Sequence, residues 1–318
     1  MSARERWTML VAVAIAAGAI GWAVRSTYIL SALNFVALNA MAALGLSLVM
    51  GFAGQVSLGQ AAFYAIGAYT SGVLTASYGW NGWAALAVAV GTGALIAFLV
   101  GLPIFRLSGL LLAMATLGFG IIVYYVLVNS SGLTGGPSGL TGIPPLAIGS
   151  FSFDTDARMV WLVWGSLLLL LGVAGNLVDS RVGRALRAIQ GSEAAAEAVG
   201  IDAARCKLGV FALAGGMTAL AGGLYAHYLT FINPSPFGFA YSIELVVMVV
   251  LGGVASLWGA VLGAAVVVLL VEALRSLLPL LTTSHGAAEY EIVVFGLILM
   301  AFMILLPGGL SAFRRGTA

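Results

Sequence analysis

RALRAIQGSEAAAEAVGIDAARCK, residues Arg184 to Lys207, is the polar exception in a 318-residue chain that is 62% hydrophobic and 8% charged. With Asp179 and Arg181 it holds five of the thirteen Lys and Arg residues and four of the eleven acids. A charge at the centre of a membrane span costs about 2.5–3.5 kcal/mol on insertion scales, so this stretch must lie outside hydrocarbon. The rest of the chain must not. A soluble protein carries roughly a quarter charged residues, about three times the share here, and the mean hydropathy is +1.11. A bilayer is the solvent that suits such an exterior.

Composition also excludes several classes. A net charge of +2, with the positive residues localised, gives no footprint for nucleic acid. The single cysteine, Cys206, allows no intramolecular disulfide, and no zinc-ligand spacing occurs. The basic residues are twelve Arg and Lys207, which with the high Ala and Gly content points to a GC-rich bacterial genome. There is no G-x-x-x-x-G-K-[ST], no H-E-x-x-H and no G-x-S-x-G, so the chain is expected to be neither an ATPase on its own nor an enzyme, and to bind no cofactor or metal.

Apolar runs long enough to cross a hydrocarbon core of about 30 Å lie near 7–24, 28–50, 56–78, 83–104, 109–128, 158–178, 207–229, 256–278 and 289–306, with a shorter one near 242–254. The fold class is therefore all-α: a polytopic membrane protein of nine to ten segments forming one domain over 1–318. The N-terminal run reads as an uncleaved first span, because another apolar run follows it directly. Alternating the spans from an inside N-terminus puts Arg4, Arg6, Arg106, the 179–206 loop with Lys207, Arg314 and Arg315 on one side. Only Arg25, Arg158 and Arg275 fall on the other. That bias sets both termini and the charged loop in the cytoplasm and the Gly- and Pro-rich 129–157 loop outside.

The charged loop has helical grammar. Ser192 can cap a short helix from Glu193 to Val199, the acids Glu193 and Glu197 sit near its positive end, and Gly200 stands where a left-handed cap belongs. Such an element is either a solvated connector or a docking helix whose small residues, Ala194 and Ala195, let a partner approach closely. Within the spans, Gln55, Ser57 and Gln60, set among Gly51, Gly54 and Gly59, form the densest polar group. The glycines let helices pack closely or break locally, exposing backbone dipoles to a passing solute; the alternative is packing glycines and interhelical hydrogen bonds. Asn34, Asn39, Thr116 and His227 read as interhelical ties. Glu244 reads as an interfacial helix-start acid or a border of the path.

Four stretches together resemble one family. Glu193-Ala194-Ala195 followed by Gly200 looks like the coupling loop of ATP-binding cassette (ABC) importer membrane subunits. GFAGQVSLGQAAFYAIGAY (Gly51–Tyr69) resembles the glycine-rich signature of branched-chain amino acid permeases. TGGPSGLTGIP (Thr134–Pro144) resembles the outer-loop signature of their LivM class, and MVVLGGVASLWGAVLGAA (Met248–Ala265) a turn shared with LivH-class relatives. Ala260 departs from the pattern, standing where that family has proline.

The resemblance implies a permease subunit in the bacterial inner membrane that carries branched-chain or other hydrophobic amino acids by alternating access. It implies a LivH-like second permease or a second copy of this chain, two cytoplasmic ATPases that use ATP, and a periplasmic binding protein. Arg184, Arg187, Glu193, Ala194, Ala195 and Gly200 would then couple to the ATPase, with Gln55, Ser57, Gln60, Gly54, Gly59 and Glu244 as path candidates. The competing readings are an ion-coupled carrier or channel for a small neutral solute, and a permease of the same kind for urea or short amides.

Overall fold

Lipid offers no partner to an open backbone group, so an unbroken apolar run must close its own hydrogen bonds as helix. The computed structural model describes residues 26–107, 109–149 and 151–281 and a few positions between 296 and 310, and helix dominates it. In chain order the helices are α1 (Thr27–Ser47), α2 (Gln60–Ala76), α3 (Gly82–Ile104), α4 (Leu110–Asn129), α5 (Asp156–Asp179), α6 (Arg181–Gly191), α7 (Glu193–Ala198), α8 (Ala203–Leu229), α9 (Phe239–Gly252) and α10 (Leu257–Leu281). Among the described residues six stretches are long and apolar enough to cross a bilayer: Thr27–Phe52, α3, α4, α5, α8 and the Leu257–Ser276 part of α10. The expected span at 7–24 lies outside the described residues, as do Arg4, Arg6, Arg314 and Arg315, and the span at 289–306 lies almost wholly outside them.

The structure corrects the expected run 56–78. Helix begins only at Gln60, leaving α2 with 17 residues. Upstream, α1 ends in a π-helical turn, Leu48–Phe52, and residues 53–59 are not helical. Glycine permits a close approach at the edge of this break. A Cβ at Gly51 would lie 1.9 Å from the Val254 carbonyl oxygen, so the chain here presses against the turn between α9 and α10. Two backbone N–H groups here find side-chain partners on neighbouring helices, which apolar surroundings favour. The Leu58 N–H donates to Thr116 Oγ1 on α4 (3.0 Å), and the Ala61 N–H at the start of α2 donates to Ser242 Oγ on α9 (3.1 Å).

α8 is the central helix, packed on α1, α2 and α3. Between apolar helices in lipid, close van der Waals contact replaces the hydrophobic drive, and small residues permit it. A Cβ at Gly222 would sit 1.9 Å from the Tyr64 carbonyl oxygen, and one at Gly67 would sit 2.0 Å from that of Ala219. An aromatic cluster fills the wider gap above: Tyr64 meets Tyr241 at 5.2 Å and Tyr225 at 5.6 Å between ring centroids. Phe237 joins them 5.9 Å from both Tyr64 and Tyr225, anchoring the chain just before α9.

The 129–157 loop carries three of the four short strands among the described residues. β1 (Leu140–Thr141) pairs antiparallel with β4 (Phe231–Ile232), and β2 (Ala147–Ile148) pairs with β3 (Phe151–Ser152). His227 pins the loop to the helices, with Nδ1 2.8 Å from the Pro144 carbonyl and Nε2 2.8 Å from Ser71 Oγ. A carbonyl can only accept, so Nδ1 carries the proton and the Ser71 hydroxyl donates to Nε2. His227 is thus the hydrogen-bonded packing residue expected of it. Asn34, Asn39 and Thr116 are ties as well: Asn34 Nδ2 donates to the Asp156 carbonyl (3.2 Å), and Tyr241 OH donates to Asn39 Oδ1 (2.8 Å). Thr116 receives Leu58 as above.

Candidate functional site

The charged loop folds into two helices. α6 was not foreseen, although its signal was present: Arg181, Arg184 and Arg187 recur every three residues on one face, with Leu186 and Ile189 on the other. Leu186 and Ile189 are buried, the three arginines exposed. Ser180 Oγ caps α6 by accepting from the Val182 N–H (3.1 Å). Arg184 reaches back to the Asp179 carbonyl at 3.3 Å, and Arg187 projects outward.

α7 forms where the sequence places it and ends one residue before Val199. Ser192 Oγ accepts from the Ala195 N–H (3.3 Å). At its other end the Gly200 N–H donates to the Glu197 carbonyl (2.9 Å) and the Ile201 N–H to the Ala196 carbonyl (3.1 Å). Gly200 takes φ +86. This pair of bonds around a left-handed glycine is the Schellman ending, and the contact of Ile201 with Ala196 supplies its usual apolar partner. Only Ala196 of α7 is buried; Glu193, Ala194, Ala195 and Glu197 are exposed. Ile189, Ala196 and Ala203 form a small apolar core of their own, joined by Ile201 and Cys206, so α7 rests on one face and presents the others.

One contact was missed altogether. Lys207, in the second turn of α8, is 5% exposed, and its Nζ lies 2.6 Å from Glu193 Oε2. The signal lay in the sequence, since it is the single lysine and stands at the boundary between a charged loop and an apolar helix.

The path candidates separate into two groups. Gln60 is fully buried and its Nε2 donates to Thr218 Oγ1 on α8 (2.7 Å), while Gly59 lies against the Thr116 carbonyl. Ser57 is fully buried too. Its hydroxyl and Gln60 Oε1 find no hydrogen-bond partner among the described residues. Gln55 is half-buried and turned onto the Ala53 carbonyl (3.3 Å), and exposed Gly54 lies against Gln190 of α6. Glu244 is half-buried on α9, two residues beyond the Ser242 that holds the start of α2. A narrow crevice of about 10 Å³ opens where the starts of α2 and α9 meet α4, walled by Leu58, Ala61, Gly120, Phe237 and Ser242. The interrupted stretch therefore touches the charged loop at one end, through Gly54, and borders this crevice at the other.

No group of three or more His, Cys, Asp or Glu side chains is placed to hold a metal ion among the described residues. Residues 28–303 match the family model described as branched-chain amino acid transport system / permease component. The chain is 35% identical over 295 residues to the high-affinity branched-chain amino acid transport system permease protein LivM of Escherichia coli K12, covering 86% of this chain and 67% of that one. The LivM protein of Salmonella typhimurium LT2 gives the same figures. The LivH permease protein of E. coli K12 is 27% identical over 290 residues, covering 85% of this chain and 90% of that one. No solved structure matches. Helices fit for a membrane, glycine-packed contacts and a match running from Tyr28 to Met303 agree: the chain belongs to the branched-chain amino acid transport permease family.

Proposed function

We propose that this permease subunit serves an ABC importer of branched-chain or other hydrophobic amino acids, and that α7 is the handle gripped by a separate ATPase. The observation that carries the reading is the build of α7. It is six residues long, capped at both ends, anchored by buried Ala196 and by the Glu193–Lys207 ion pair, and bare elsewhere. A free connector needs neither cap, whereas a helix that must keep its register under load needs both. Arg184 and Arg187 on α6 offer charges to fix orientation, and Ala194 and Ala195 leave room for a partner cleft.

In this reading the charged loop and both termini face the cytoplasm, the 129–157 loop faces the periplasm, and nine to ten spans form one permease domain in a bacterial inner membrane. A second permease, LivH-like or a copy of this chain, completes the path. A periplasmic binding protein selects the cargo, which is zwitterionic with an apolar side chain; a short amide such as urea suits the same path. The chain supplies no chemistry, and ATP is used by its partners. Closure of the ATPases displaces α6 and α7. Through Gly54 that displacement reaches the unwound stretch 53–59, where the unpartnered oxygens of Ser57 and Gln60 offer hydrogen bonds to a passing solute, with Gln55, Gly59 and Glu244 at its borders.

Proteoliposomes test the whole reading. With both permeases, the ATPases and the binding protein, leucine accumulates only when ATP is present on the α7 side. Accumulation driven by an ion gradient through this chain alone overturns it. Gln55→Leu with Ser57→Val should change the uptake rate per assembled complex by severalfold without reducing ATPase capture. Normal uptake per complex removes those residues from the path.

A further inference from the structure

We infer that Lys207 is a positioning residue for energy coupling: its ion pair with Glu193 locks the coupling helix α7 to the central transmembrane helix α8, so that the two move as one piece. The inference rests on the proposed grip of an ATPase on α7 and adds to it the route by which movement leaves that helix.

Without the pair, α7 has little hold on α8. Its one buried side chain, Ala196, packs into a small core with Ile189 and Ala203, and a single methyl group resists sliding weakly. The ion pair is different in kind. Lys207 Nζ is 2.6 Å from Glu193 Oε2, and the lysine is 5% exposed while the glutamate side chain is 48% exposed. A charge shut away from water is costly to leave alone, so the lysine holds its one carboxylate strongly. Glu193 is the first residue of α7, which makes the link act on the helix end next to its cap.

The far end of α8 is tied just as firmly. Twenty residues on, about 30 Å along the helix axis, His227 bridges Ser71 and the Pro144 carbonyl, and Tyr228 OH donates to Asp156 Oδ1 at 2.6 Å. A helix pinned by polar bonds at both ends and packed against α1, α2 and α3 between them is a rod. A push received at Lys207 arrives at the opposite loop.

A double-mutant cycle tests this in the complete reconstituted importer, read as leucine molecules moved per ATP hydrolysed. Lys207→Met should lower that ratio at least tenfold while the ATPases still co-purify. Glu193→Gln, which breaks the pair from its half-exposed side and spares the buried site, should lower it comparably. The combined variant should be no worse than either, because both remove one bond. Exchange of the partners, Glu193→Lys with Lys207→Glu, should recover part of the ratio. Additive losses, or an unchanged ratio in Lys207→Met or Glu193→Gln, overturn the inference. So does loss of ATPase capture in both single variants, which would make the pair a docking feature. The parent reading is tested separately by a cysteine placed at exposed Ala194 in a Cys206→Ser background. If it forms no cross-link to the ATPase, the grip on α7 fails, whatever Lys207 does.

Discussion

Gly200 offers a test of α7 free of the usual steric ambiguity. An added Cβ there would meet nothing within 4 Å, so a substitution cannot clash with the rest of the protein. Its φ of +86 is another matter, because a residue with a β-carbon pays about 1–2 kcal/mol to adopt the left-handed region, and a β-branched one more. The Gly200 and Ile201 bonds that end α7 depend on that conformation, and the helix has only six residues to lose. With one or two kcal/mol worth a factor of roughly 5–30 in an equilibrium, Gly200→Val should shift the capped helix toward frayed forms by that factor. Gly200→Asn, which tolerates the left-handed region, should stay within about threefold of the parent. Amide hydrogen exchange at Gly200, Ile201 and Val199 reads the loss of the cap directly, and uptake per assembled complex reads its consequence. Equal protection in the Val and parent proteins would refute the conformational reasoning. Lost protection with full uptake would refute the claim that an ordered α7 transmits force.

Two other perturbations probe the scaffold. Thr116→Val keeps shape but leaves the half-buried Leu58 N–H without its acceptor, a loss of about 1 kcal/mol; a thermal melt in detergent should fall, and an unchanged melt would mean that the unwound stretch is not held by α4. Gly222→Val drives a side chain into the Tyr64 carbonyl, so α2 and α8 must part, and overpacking of this kind costs about 1–3 kcal/mol. The variant should yield less folded protein than Gly209→Ala, whose added Cβ meets open space on the same helix.

The long helices were legible because lipid leaves one answer to an apolar run, and the ends of α7 because Ser192 and Gly200 act within a few residues of themselves. Such information is local, and the sequence carries it openly. At 53–59 the glycines made a local break possible, but its extent was not legible. Where the helix stops depends on packing far away in sequence, because Gly51 lies against the turn after α9, about 200 residues further on. Gln60 illustrates the same limit. Its polarity marked it as special, yet whether its amide serves packing or passage depends on Thr218 being opposite one end and nothing opposite the other.

Lys207 shows a third case, in which the residue was conspicuous and its partner was hidden. A lone lysine entering an apolar helix had to be paired or raised to the interface, but four acids lay within thirty residues of it. Asp202 is the nearest in sequence and is taken by Arg205, at 2.9 Å. The choice of Glu193 follows from the reversal of the chain at Gly200, which brings the start of α7 back over the first turns of α8. Position in the chain favoured the wrong acid, and the left-handed turn selected the right one. A substitution that straightens that turn should therefore release Lys207 as well as the cap, so the Gly200 and Lys207 variants should fail to add when combined.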